Sequence, residues 1–234
     1  MTISTSDAGK RYNREWIFRH FTYTFEEGKS YAITGPNGAG KSTLLQALGG
    51  AIHLNEGTLK YESGDWSWQS EAGSEMPEDE NQKSSRSKRE KIQKLIIPAE
   101  EIFKYVSICA PYMEVVEEMT LKEFLNFHSG FKPLLKDVSN EKIISIIGLE
   151  KAANKQIRYY SSGMKQRVKL AQCIFSDVPV ILLDEPCTNL DTAGVELYHQ
   201  LINDYCKTRL LLVSSNDESE YSFCNERLNI TQYK

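Results

Sequence analysis

Gly35-Pro36-Asn37-Gly38-Ala39-Gly40-Lys41-Ser42 decides how the rest of this chain is read. Glycine, four residues, then Gly-Lys-Ser is the spacing of a loop that wraps a phosphate chain. The glycines permit a tight backbone path that turns successive N–H groups inward. Lys41 brings a point charge to the β- and γ-phosphates, and Ser42 a hydroxyl to Mg²⁺. The flanks supply the required context. Ser30-Tyr31-Ala32-Ile33-Thr34 reads as a short strand entering the loop, and Thr43-Leu44-Leu45-Gln46-Ala47-Leu48 as a helix leaving it. A helix starting near Lys41 adds its positive end to the anion site.

The 234 residues suffice for one α/β domain, and 40% hydrophobic content allows a sizeable core. A net charge of −4 lacks the basic excess typical of nucleic-acid binders. The five cysteines (Cys109, Cys173, Cys187, Cys206, Cys224) form no Cys-x-x-Cys and read as reduced thiols rather than a disulfide frame or zinc site. No signal-peptide apolar region opens the chain, and no run approaches a membrane span of about 20 apolar residues. Work at a membrane would therefore need another chain to provide the span.

Downstream of the loop, Val180-Ile181-Leu182-Leu183-Asp184-Glu185 is the second informative stretch. Four apolar residues in a row suggest a central parallel strand buried on both faces. Two carboxylates stand at its end, where open α/β sheets place ligands. Asp184 fits a Mg²⁺ ligand, directly or through water, and Glu185 a base for an attacking water. The plainer alternative is a strand that ends in solvated acids.

Upstream, His20-Phe21-Thr22-Tyr23-Thr24-Phe25 alternates like a half-buried strand, and Glu27-Gly28-Lys29 reads as a turn. Tyr12 is either a core aromatic or a platform for a base; alone it reads as core. Strands are expected over Gly57-Thr58-Leu59-Lys60-Tyr61, Val106-Ser107-Ile108-Cys109, Leu210-Leu211-Leu212-Val213 and Arg227-Leu228-Asn229-Ile230. Between residues 62 and 94 the composition turns to Ser, Glu, Asp and Lys, which predicts a flexible surface insertion. Its basic cluster could touch nucleic acid or anionic lipid, but a solvated linker is the simpler reading. Thr120-Leu121-Lys122-Glu123 is a capping box opening a helix towards Phe131, and Ser139 can cap another that ends before Gly148. Val195, Tyr198, Leu201, Ile202 and Tyr205 recur at helical spacing.

Tyr160-Ser161-Ser162-Gly163-Met164-Lys165-Gln166-Arg167, just before the Asp184 strand, resembles the signature sequence of ABC ATPases, usually Leu-Ser-Gly-Gly-Gln followed by a basic residue, Gln and Arg. With the 35–42 loop, the 182–186 stretch and Asn189-Leu190-Asp191, the order and spacing resemble an ABC transporter ATP-binding subunit over nearly the whole chain outside 62–94. The resemblance implies one α/β domain over 1–234: a P-loop RecA-like core, an antiparallel β subdomain and an inserted helical subdomain over 111–178. It implies ATP and Mg²⁺ as ligands. Two cassettes would pair head to tail, as a homo- or heterodimer. Each ATP would meet Gly38, Ala39, Gly40, Lys41, Ser42, Thr43 and Asp184 of one cassette, and Ser161 and Gly163 of the other. Tyr12 matches the position whose ring stacks on adenine, and Asn189 to Asp191 would lie at the dimer seam.

The chain departs from the family pattern at several positions. Ser162 replaces a signature glycine, and Met164 the signature glutamine; the Met variant resembles cassettes of multidrug or other export systems. The loop after Cys109 should carry a glutamine; its ungapped match is Pro111, and the nearest polar candidate is Glu114. After Leu210 to Val213 a histidine should face the γ-phosphate, and Asn216 stands there. The expected function is an ATPase subunit powering a separate transmembrane permease, as part of an exporter, at the cytoplasmic face of the membrane. The apolar residues Tyr112, Met113, Val115 and Val116 are expected to dock that permease. The alternative is a slowly hydrolysing ATP-binding switch, which the changes at Pro111 and Asn216 favour. A soluble translation or DNA-repair role fits less well, because the chain has one cassette and no coiled coil; no nucleic-acid partner is expected.

Overall fold

The computed structural model describes residues 1–63 and 95–234. Its centre is a parallel five-stranded sheet. The strands are β3 (Ser30–Thr34), β6 (Val106–Cys109), β7 (Val180–Asp184), β8 (Leu210–Ser214) and β9 (Glu226–Asn229), in spatial order β6-β7-β8-β3-β9. Both faces of the central strands are covered, which is why they read as unbroken apolar runs. On β7, Ile181 and Leu183 join one core cluster, whereas Val180 and Leu182 join the other. On β8, Leu211 and Val213 part from Leu210 and Leu212 in the same way.

The second sheet is antiparallel and comprises β1 (Thr2–Tyr12), β2 (Glu15–Phe25), β4 (Glu56–Ser63) and β5 (Leu95–Ile97), in spatial order β2-β1-β4-β5. Phe18, Phe21 and Phe25 of β2 are fully buried, and Phe25 meets Tyr31 of β3 edge-on at 5.1 Å. These rings join the two sheets through one apolar cluster. Of the expected insertion at 62–94, Glu62 and Ser63 are the last residues of β4, and 64–94 lie outside the described residues.

Between β6 and β7 the described elements are α2 (Leu121–Ser129), α3 (Asn140–Ile146), α4 (Ser162–Ile174) and short 3₁₀ turns. Thr120 and Glu123 form the reciprocal capping box, and Ser139 caps α3 through the Lys142 N–H. α2 stops at Ser129, short of the expected Phe131, with Gly130 as its C-cap. The remaining helices are α1 (Lys41–Leu48), α5 (Thr192–Tyr205) and the single-turn α6 (Glu218–Tyr221). All five cysteines are free thiols. Among the described residues no helix is long and apolar enough to cross a membrane.

Candidate nucleotide site

Strand order places three loops side by side at the carboxyl end of the parallel sheet: those after β7, β8 and β3. The loop after β3 is the phosphate-loop candidate. An Ala39 N–H to Pro36 carbonyl bond of 3.0 Å closes it, and Gly40 caps α1 at φ 101°. A side chain at Gly40 would bring Cβ to 2.4 Å from Ile17 Cγ2, so both backbone shape and packing demand glycine. Lys41 is 5% exposed, and its Nζ donates to the Gly35 and Pro36 carbonyls at 2.9 and 3.3 Å. The ammonium is thus folded over the loop it would serve. Ser42 and Thr43 follow in the first turn of α1, both partly exposed.

Asp184 ends β7 and is 2% exposed, yet its Oδ1 has no hydrogen-bond partner. Ser214, its register partner on β8, has a buried hydroxyl in the same condition. A buried polar oxygen left unpaired is costly, and a cation or its bound water would satisfy it. The donor chemistry, carboxylate and hydroxyl oxygens, suits Mg²⁺. Glu185 follows at φ 44°, rare for a residue with a side chain, and its N–H donates to the Ser214 carbonyl at 2.9 Å. Such positive φ is tolerated where surroundings hold it and clusters at working sites.

Asn216 meets the 35–42 loop directly: its Nδ2 donates to Asn37 Oδ1 at 2.5 Å. Sequence reading missed this pair, which lies 179 residues apart along the chain. Tyr12 is 48% exposed at the end of β1, with Lys10 Nζ 5.2 Å from its ring centre. The buried-core alternative for Tyr12 is thereby set aside.

Ser161 and Gly163 occupy the start of α4. Ser161 is its N-cap, with Oγ accepting the Met164 N–H at 3.2 Å. A Cβ on Gly163 would lie 2.9 Å from the Asn189 carbonyl, and Asn189 itself sits at φ 66°. Arg167 reaches Asp191 and the Ile147 carbonyl, both at 3.4 Å. Among the described residues neither Ser161 nor Gly163 hydrogen-bonds to the 35–43 loop. Buried Gln166 ties the helix to the turn after β7, donating to the Pro186 carbonyl at 2.7 Å.

The loop after β6 places no glutamine of its own beside the site. The Pro111 carbonyl accepts from Lys169 Nζ at 3.1 Å, and Glu114 is exposed. Burial pushes the Tyr112 hydroxyl above its usual pKa, and a hydrogen bond with Gln46 of α1 opposes that shift. Val115, expected to face a partner, is 7% exposed and packs in the core, while Tyr112 and Val116 remain exposed.

Known proteins resemble this chain in sequence and structure. YybJ of Bacillus subtilis, an uncharacterized ABC transporter ATP-binding protein, is 27% identical over 97% of this chain and 92% of its own length. The thiamine import ATP-binding protein ThiQ of Salmonella typhimurium is 31% identical over 87% of this chain and 78% of its own. The dimeric structure of MJ0796, a bacterial ABC transporter cassette, superposes with a TM-score of 0.71 at 20% identity, covering 97% of this chain and 94% of that one. At that identity the superposition bears on the fold alone: a P-loop core with an antiparallel sheet and a helical insertion. The ABC transporter family model matches residues 18–188, and the chain belongs to that family of ATP-hydrolysing cassettes.

Proposed function

We propose that the chain is the MgATP-hydrolysing subunit of an ABC exporter, working as a head-to-tail dimer on a separate transmembrane permease at the cytoplasmic face of the membrane. The observation that carries the reading is the buried, unpartnered Asp184 oxygen beside the loop that holds Lys41. Lys41 and the loop N–H groups would bind the phosphates, with Ser42 and Asp184 holding Mg²⁺. When bound, Mg²⁺ supplies the charge that neutralises the β- and γ-oxygens. Glu185 would accept the proton of the attacking water, and Tyr12 would cover the base. Ser161 and Gly163 of the second copy would close over the γ-phosphate, using a hydroxyl and a helix N-terminus. The export direction rests on Met164 in the signature, and ThiQ shows that import proteins also stand among the relatives.

Turnover is proposed to be slow. Asparagine is always neutral, and one of the two Nδ2 donors of Asn216 is already given to Asn37. Losing one preorganised donor to a transition state costs about 10²–10³ in rate, and asparagine keeps part of that. This observation favours a second reading, an ATP-binding switch that regulates a membrane or soluble partner. Phosphate release from the purified protein decides between them, with Glu185→Gln as the inactive control. Turnover clearly above that control supports the transport ATPase. Turnover indistinguishable from it, with MgATP still bound, supports the switch.

A further inference from the structure

Glu220 has no part in the site described so far, yet it is a carboxylate only 6% exposed. It sits on the one-turn helix α6, whose start is capped by Asp217 through the Ser219 N–H at 2.9 Å. Tyr198 of α5 anchors the helix by donating its hydroxyl to the Glu220 carbonyl at 2.7 Å. The side chain then points between two loops. Its Oε1 accepts the Cys187 backbone N–H at 2.7 Å, two residues beyond Glu185. The Ser215 hydroxyl stands in hydrogen-bonding reach of the same carboxylate and accepts the Asp217 N–H at 2.9 Å. Ser215 is also pinned from the other side, its N–H donating to the Ile33 carbonyl of β3 at 3.2 Å.

We infer that Glu220 is a positioning residue: its carboxylate ties the turn that carries Glu185 to the loop that carries Asn216. The inference rests on the function proposed above. Glu185 and Asn216 leave different strands, β7 and β8, and each needs a fixed place relative to one phosphate. Strand pairing ends at Asp184 with Ser214, so past that point the two loops lose their ladder. Among the described residues the Glu185 N–H to Ser214 carbonyl bond continues it. The Glu220 carboxylate bridges the gap one step further out, at Cys187 and Ser215. Burying a charged group there is unfavourable unless it is hydrogen-bonded, and the Cys187 N–H, the Ser215 hydroxyl and the Cys187 thiol all bond to it. Burial, followed by the nearby Asp217 and Glu185 carboxylates, pushes its pKa up, while the Ser215 and Cys187 bonds oppose the shift.

Three substitutions separate position from charge and from mere folding. Glu220→Gln keeps an oxygen for the Cys187 N–H. Glu220→Asp keeps the charge on a side chain one methylene shorter, and Glu220→Ala removes the tether. Misplacing a catalytic group by about 1 Å can cost about 10²-fold in rate. We expect Glu220→Ala and Glu220→Asp to lower kcat for MgATP by about 10- to 100-fold with KM changed less than about threefold. Glu220→Gln should keep kcat within about threefold of native, since the acceptor survives. Hydrogen exchange at the Cys187 amide reads the tether without any turnover: protection should be lost in the Ala and Asp variants and kept in Gln. Unchanged protection of Cys187 in Glu220→Ala would overturn the inference. So would loss of MgATP binding and thermal stability together in all three variants, which is the mark of a purely structural residue. A native protein no faster than Glu185→Gln, with Cys187 protection still following Glu220, would count against the hydrolysis reading and leave the tether standing.

Discussion

Gly163→Ala adds one methyl group where the structure leaves no room. The new Cβ would stand 2.9 Å from the Asn189 carbonyl oxygen. Relief requires a shift of a few tenths of an ångström, and neither side yields easily. Ser161 caps the first turn of α4, and the Asn189 turn is held by the Thr188 N–H to Glu185 and Leu190 N–H to Cys187 bonds of 3.1 and 3.0 Å. Overpacking of this kind costs about 1–3 kcal/mol. Replacing glycine in a helix by alanine returns about 0.5–1 kcal/mol. The net is a loss of about 0–2.5 kcal/mol, or a Tm lower by up to about 10 °C for a chain of this size. MgATP affinity of the monomer should stay within about twofold, because residues 35–43 are untouched and distant effects on binding are small. Dimer-dependent steps should suffer far more, since the methyl also stands where the second copy's γ-phosphate would approach the helix. The assays are thermal unfolding, calorimetry with MgATP, and sedimentation of the Glu185→Gln protein with and without Gly163→Ala. The dimer formed in MgATP by Glu185→Gln should disappear in the double variant. A dimer of equal affinity would refute both the close approach at Gly163 and the pairing built on it.

Other outcomes follow from the same geometry. Asn216→His should raise phosphate release by about tenfold, the smaller end of a lost transition-state donor; no change would show Asn216 to be a competent substitute. Burial, aided by the Lys132 ammonium, holds the His128 imidazole near pKa 4 instead of 6.5. The folded state then binds fewer protons than the unfolded one between those values. Stability from this group is full above pH 6.5 and falls away as pH drops towards 4. The limit is about 3 kcal/mol, brought to about 1–2 by partial exposure. Melting curves of His128→Gln should lose that pH dependence, and a native-like slope would contradict it. Val116→Arg should abolish co-purification with the permease and spare MgATP binding, whereas Val115→Arg should unfold the protein because Val115 is buried; full co-purification of Val116→Arg would place the contact elsewhere.

What the sequence made legible was local. Capping at Thr120 and Ser139 involves neighbours three residues away, so both helix starts could be read directly. β7 and β8 are apolar on successive residues because both faces are buried, and that pattern needs no partner to be recognised. β1 escaped notice for a physical reason. Its ladder with β2 slips at three places between Thr5 and Arg11, so no period of two survives, and most of its residues are polar. The run of Tyr112, Met113, Val115 and Val116 gave no period either, and burial of Val115 alone follows from its tertiary packing. At the candidate site, the 35–42 loop was readable because a contiguous backbone shape requires glycine. Asn37 with Asn216, and Glu220 with Cys187, were not readable, because each pair meets only once the parallel strands are set side by side.

Calorimetric titration of MgATP into the native protein and into Lys41→Ala tests the central claim most directly. Lys41 is the buried cation folded over the 35–43 loop, with the Gly35 and Pro36 carbonyls as its contacts. A charge-assisted contact to phosphate is worth about 1.5–3 kcal/mol, so Kd should rise about 10- to 150-fold. Equal affinity in the two proteins would contradict the assignment of this loop as the nucleotide site.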